Sequence, residues 1–137
     1  MKKFFLLGLL CSFCLVSIGQ LALVSEKMSV SEWNDNLEKY LDRSKREVRN
    51  YINWKDGELT IICSDCKNDV FKYVALNRVK EDESVGDGFT VDTYTAVELS
   101  TGMKLRIMLG YSHGKLSNLS VVRPRTGMVI YGELHDQ

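Results

Sequence analysis

The sequence has no excess of either charge, with 18 lysines and arginines against 18 aspartates and glutamates. It therefore lacks the basic footprint that nucleic acid or an anionic lipid surface calls for. Only two histidines are present, His113 and His135, and they lack the close pairing that makes a zinc site recognisable. Of the four cysteines, only Cys63 and Cys66 lie beyond the first two dozen residues. No internal repeat, low-complexity tract, phosphate-binding loop or credible catalytic triad appears, and no cofactor is implied. What remains is 137 residues, 45% hydrophobic and 26% charged, enough for one ordinary globular domain with an appendage.

The appendage is residues 1–24. Lys2 and Lys3 form a positive start, and Phe4 to Gly19 is an uninterrupted run of apolar and small residues, the layout of a signal peptide. Ser17 and Gly19 suit the −3 and −1 positions of a cleavage site. The alternative joins Leu21 to Val24 onto the run, broken only by Gln20, and keeps it as a membrane anchor crossing a core of roughly 30 Å. Lipidation is disfavoured by the bulky Leu10 and Phe13 before Cys11 and Cys14. Both main readings place residues 25–137 beyond the membrane, as a single exported domain in the periplasm or extracellular space, secreted or held at the inner membrane. Cleavage would leave 16 basic against 18 acidic groups, a formal −2.

Within that domain, Val30, Trp33, Leu37, Tyr40, Leu41, Val48, Tyr51 and Ile52 recur at spacings of three and four, which predicts an amphipathic helix over 29–54. Ser29 and Glu32 read as its capping box, and Asp56-Gly57 as its stop. Asp35–Lys39, Asp42–Arg46 and Arg43–Glu47 are then oppositely charged pairs on its outer face. From Glu58 the pattern changes to short runs rich in Val, Ile, Thr, Tyr and Phe, predicting strands near 58–63, 70–79, 88–99, 103–109, 116–123 and 128–133. Short connections at Ser100-Thr101-Gly102, Ser112-His113-Gly114 and Pro124 to Gly127 make the later ones a meander. Residues 80–88 read as a polar, acidic loop. The expected fold class is α+β: one N-terminal helix packed on a curved antiparallel sheet of five to six strands, in the shape of a cystatin or NTF2-like roll.

Cys63-Ser64-Asp65-Cys66, in an oxidising compartment, reads as a local disulfide worth on the order of 2 kcal/mol. A thioredoxin-like role would need the first thiolate at a helix N-terminus, and here the predicted helix precedes the pair. Gly110-Tyr111-Ser112-His113-Gly114 matches the serine-hydrolase G-x-S-x-G. The stretch after it alternates like a strand, whereas a nucleophile elbow runs into a helix, and Gly-flanked Ser-His suits a hairpin turn. Asp82, Glu83 and Asp87 match no calcium-loop spacing.

Two surfaces invite binding. Arg43, Lys45, Arg46 and Arg49 form a basic cluster suited to docking an acidic partner. Tyr40, Phe89, Tyr94 and Met108 are candidate linings for a small-ligand pocket between helix and sheet. The sequence thus points to a non-enzymatic exported or membrane-anchored domain. Its expected partner is another envelope or secreted protein, which it would serve as inhibitor, immunity factor or accessory subunit. Membrane contact is expected only through residues 4–24, if these are retained, and small-ligand binding is the alternative.

Overall fold

The structure, a computed structural model, describes residues 20–64, 67 and 69–137, with the side chains of Leu76 and of residues 80–85 excepted. Nine antiparallel strands account for most of these residues. They are β1 (Leu21–Asn34), β2 (Lys39–Arg46), β3 (Asn50–Lys55), β4 (Glu58–Cys63), β5 (Asp69–Gly86), β6 (Phe89–Glu98), β7 (Lys104–Ser112), β8 (Lys115–Arg123) and β9 (Gly127–Asp136). From β3 to β9 each strand pairs with the next, and β1 pairs with both β3 and β9. Eight strands therefore close into a barrel, while β2 stands outside the ring and pairs with β1.

The expected helix over 29–54 is not formed; that segment is the end of β1, all of β2 and most of β3. The helical spacing arose from a hairpin and its irregularities. A turn over 35–38 brings Trp33 opposite Tyr40, with ring centroids 5.0 Å apart, and a bulge between Val30 and Ser31 shifts the register. These interruptions scatter apolar residues at threes and fours. Leu37, a member of the supposed buried stripe, is 57% exposed at the turn. The proposed i, i+4 charge pairs are replaced by cross-strand contacts: Arg43 meets Glu32 at 3.0 Å, and Ser31 Oγ donates to Asp42 at 2.8 Å. The α+β roll is accordingly corrected to an all-β barrel.

The six strands expected after Glu58 are present, β4 over the expected residues, β6 one residue shorter at each end and the other four lengthened. The acidic stretch 80–88 is no loop up to Gly86; β5 continues through it, its register against β6 slipping repeatedly. Asp56-Gly57 and His113-Gly114 have positive φ at both residues, 53° and 75°, then 50° and 78°. That is the two-residue type I′ geometry whose twist matches a hairpin, and glycine at the second position meets it without steric cost. Asp56-Gly57 therefore joins β3 to β4 where the sequence suggested a helix stop.

A ring of eight strands leaves an interior that side chains can fill. Ile52 and Trp54, Leu59 and Ile61, Tyr94 and Ala96, Leu105, Ile107 and Leu109, Leu119 and Val121 alternate inward and are almost entirely buried. Trp54 and Tyr94 meet edge to face at 5.1 Å although their strands are three apart in the ring, so this contact crosses the interior. Glu26 lies opposite Glu133 in the seam between β1 and β9, whose register is constant from Leu23 to Glu32. Leu21 and Leu23 pack on the core before that point, Met28 after it, and Glu133 has a φ of 50°. Ser25, fully buried there, donates to the carbonyls of Lys27 and Gly132, both at 2.8 Å.

Candidate functional site

The two ends of the barrel differ. Gln20 and Gln137 lie at one end, with the turns Asp56-Gly57 and His113-Gly114; the other end carries the β1–β2 hairpin and the β6–β7 and β8–β9 turns. The hairpin is fixed across its end of the barrel. Asn34 Oδ1 accepts from the Leu37 N–H at 2.9 Å, and Trp33 Nε1 donates to Asp35 at 2.9 Å. Trp33 N–H bonds the Thr126 carbonyl at 3.0 Å, and Tyr40 Oη donates to the Arg123 carbonyl at 3.2 Å.

As a strand, β2 pairs only with β1 among the described residues. Its opposite edge thus presents backbone N–H and C=O groups of alternate residues without a strand beside them, the feature that templates addition of another chain. Six of its eight residues are exposed. Lys39, Lys45 and Arg46 have no ion pair among the described residues, while Arg43 is held by Glu32 and Asp42 by Ser31.

Beneath the hairpin, the inner face of β6 carries a carboxylate. Arg123 donates to Glu98 Oε2 through Nε at 3.3 Å and Nη2 at 3.1 Å, and Nη2 also donates to Tyr73 Oη at 3.3 Å. Ser100 Oγ donates to the other Glu98 oxygen at 3.1 Å. Burial opposes the charge on Arg123, yet Tyr73 and Glu98 hold its pKa above the ordinary value. Burial also pushes the phenols of Tyr73 and Tyr131 up, so both stay neutral. A second pair, Arg78 with Asp92 at 2.7 Å, lies farther along β6. These groups tie strands together inside a low-dielectric wall and are positioned for structure.

On the outer surface a groove of about 550 Å³ lies over the β1–β9 seam, between Glu26, Lys27, Arg49 and Glu133. Apart from Glu47, its charged groups are paired: Arg49 and His135 reach Glu26 at 3.1 and 3.0 Å, and Lys27 reaches Glu133 at 2.8 Å. Hydrogen bonds from His135 and Arg49 lower the Glu26 pKa, and the bond to Glu26 raises that of His135. The His135 contribution to stability is thus fully present below its ordinary pKa and is lost as pH rises through the raised value. The Glu26 contribution is present above the ordinary carboxylate value and fades as pH falls through the lowered one. An NMR titration is expected to place His135 above its usual 6.5 and to return it toward that value in Glu26→Gln; an unshifted His135 would exclude the clasp.

The residues singled out from sequence are dispersed. Arg43, Lys45 and Arg46 lie on β2, not late in a helix, and Arg49 follows it, engaged with Glu26. Tyr40 belongs to the hairpin and Tyr94 to the interior. Phe89 starts β6 opposite Ser112, and Met108 sits on β7 opposite Thr93. With no helix to cover the sheet, the pocket expected from these four residues is not assembled. Cys63 ends β4, buried and disulfide-bonded; Cys66 lies outside the described residues, as does the stretch up to Gly19 that the sequence suggested as an export segment. Ser112 precedes the type I′ turn into β8, whereas the elbow motif requires a helix there.

No group of three or more histidine, cysteine or acidic residues is placed to hold a metal among the described residues. No helix among them is long and apolar enough to cross a membrane. Sequence reasoning missed the free edge of β2, the Glu98–Arg123 pair and the clasp at Glu26, because each depends on strand pairings between distant residues. No protein-family model, curated protein or solved structure matches the chain.

Proposed function

We propose that this chain is a non-enzymatic domain working outside the cytoplasm, secreted or anchored through its N-terminal segment, that binds another envelope or secreted protein. One observation carries the reading: β2 is an eight-residue strand outside a closed ring, with its outer edge unpaired among the described residues. Closing a barrel removes the edges of a sheet, and this chain restores one. Leu21 to Val24, which the anchored reading joins to the apolar run, belong to β1, so an anchor would be confined to residues before Gln20. β1 runs for 14 residues from the terminal end to the hairpin, roughly 45 Å of strand, so a domain tethered at Gln20 presents β2 away from its tether. The small-ligand alternative loses the helix that was to form one wall of its pocket.

Affinity capture with the full chain from its native envelope is expected to retain a stoichiometric protein. Lys39→Glu/Lys45→Glu/Arg46→Glu is expected to retain much less of it. If the wild-type chain holds nothing stoichiometric, the protein-binding reading is wrong.

A further inference from the structure

We propose that the partner supplies an acidic, extended segment that adds to the outer edge of β2 as a further strand; the inference rests on the protein-binding reading and names its chemistry. Eight residues of strand offer several outward N–H and C=O groups to an incoming backbone, whose ladder gives affinity whatever the side chains. The side chains then choose the partner. Along β2 stand Lys39, Arg43, Lys45 and Arg46 against a single acid, Asp42. Asp42 is occupied by Ser31 and Arg43 by Glu32, which leaves Lys39, Lys45 and Arg46 exposed and without an ion pair among the described residues.

That charge decides between occupants. A second copy of β2 would set these cations against one another across the new ladder, where facing like charges are destabilising and lysine-rich edges resist self-pairing. A segment alternating acids with β-branched residues reverses the sign of the same contacts and has the backbone preference for a strand. The edge is also prepared before the partner arrives. Trp33 against Tyr40, the Tyr40–Arg123 bond and the Trp33–Thr126 bond fix the hairpin on the barrel. The ordering cost therefore falls chiefly on the incoming segment.

The probe is a synthetic peptide alternating Glu and Val, titrated into the isotope-labelled exported protein. It is compared with a peptide N-methylated at every second residue, which keeps the charge and loses one ladder, and with a Lys-Val counterpart. Amide shifts are expected to concentrate at 39–46, with cross-strand contacts from peptide to β2. Affinity should fall roughly ten- to hundredfold in Lys39→Glu/Lys45→Glu/Arg46→Glu, and in wild type for the N-methylated peptide. Undiminished binding of the N-methylated or Lys-Val peptide, or shifts centred away from β2, would overturn strand addition. So would retention of the captured native partner by the triple variant, an outcome that leaves the protein-binding reading standing. Capture of no partner by the wild-type chain would instead remove that reading.

Discussion

Glu98→Ala is expected to destabilise the barrel by about 2 to 4 kcal/mol, in the upper part of what single substitutions do. The substitution leaves the Arg123 guanidinium between Tyr73 and the barrel wall without its carboxylate. Glu98 and Arg123 side chains are 10% and 22% exposed, so water compensates Arg123 only in part, and a figure below that of a fully buried pair is appropriate. For a domain of this size the loss corresponds to a melting temperature lower by on the order of 10 to 20 °C. Glu98→Leu combined with Arg123→Met is expected to recover most of the stability, because replacing both partners removes the orphaned charge along with the pair. Chemical denaturation of the two variants measures this, and a Glu98→Ala midpoint equal to wild type would show that the pair is not inside the barrel.

Trp54→Ala carries the other large effect, about 3 to 5 kcal/mol. Trp54 is 3% exposed and packs on Tyr94 across the interior, so truncation opens a cavity whose lining is held by the closed ring. Since small domains have on the order of 5 to 15 kcal/mol in hand, this variant sits near the edge of folding. Leu37→Ser is the informative contrast. On a helix over 29–54 Leu37 would belong to the buried stripe and its loss would be costly; at the tip of the β1–β2 hairpin it is expected to be neutral within about 0.5 kcal/mol. Denaturant midpoints of the two variants, read together, separate the barrel from the roll.

The two halves of the chain were unequally legible. From Glu58 onward, the acidic stretch up to Gly86 apart, strands stand between recognisable turns, and β7 shows why: Leu105, Ile107 and Leu109 alternate inward against Lys104 and Arg106, so period two is plain. The first third hides the same period. Ser25, Ser31 and Asn50 are buried almost completely although polar, which leaves gaps in the apolar pattern. Leu21 and Leu23 pack on the core at odd positions and Met28 at an even one, so the inward set changes parity within β1, and the register against β2 shifts between Val30 and Ser31. Asp56-Gly57 was a hairpin signal whose meaning was taken from the preceding pattern.

Closure was beyond the sequence, because it rests on β1 meeting β9, residues such as Leu23 and Asp136 that are far apart in the chain. The candidate site was half legible. The basic cluster at Arg43, Lys45 and Arg46 could be read from composition, but the element carrying it decides what it does: on a helix these cations form a patch, whereas on β2 they flank an open ladder. Glu98 and Arg123 were silent in the sequence, since an inward carboxylate and an inward guanidinium declare themselves only when 25 residues of chain bring them together.

The account turns on β2 being a strand with one edge bound and one edge open, and amide hydrogen exchange reads that residue by residue. Within 39–46, slow and fast amides are expected to alternate, the slow ones bonded to β1 and the fast ones facing water, while amides of β1 between β2 and β9 are protected throughout. Uniform protection along 39–46, or slow exchange grouped at helical spacing, would contradict it.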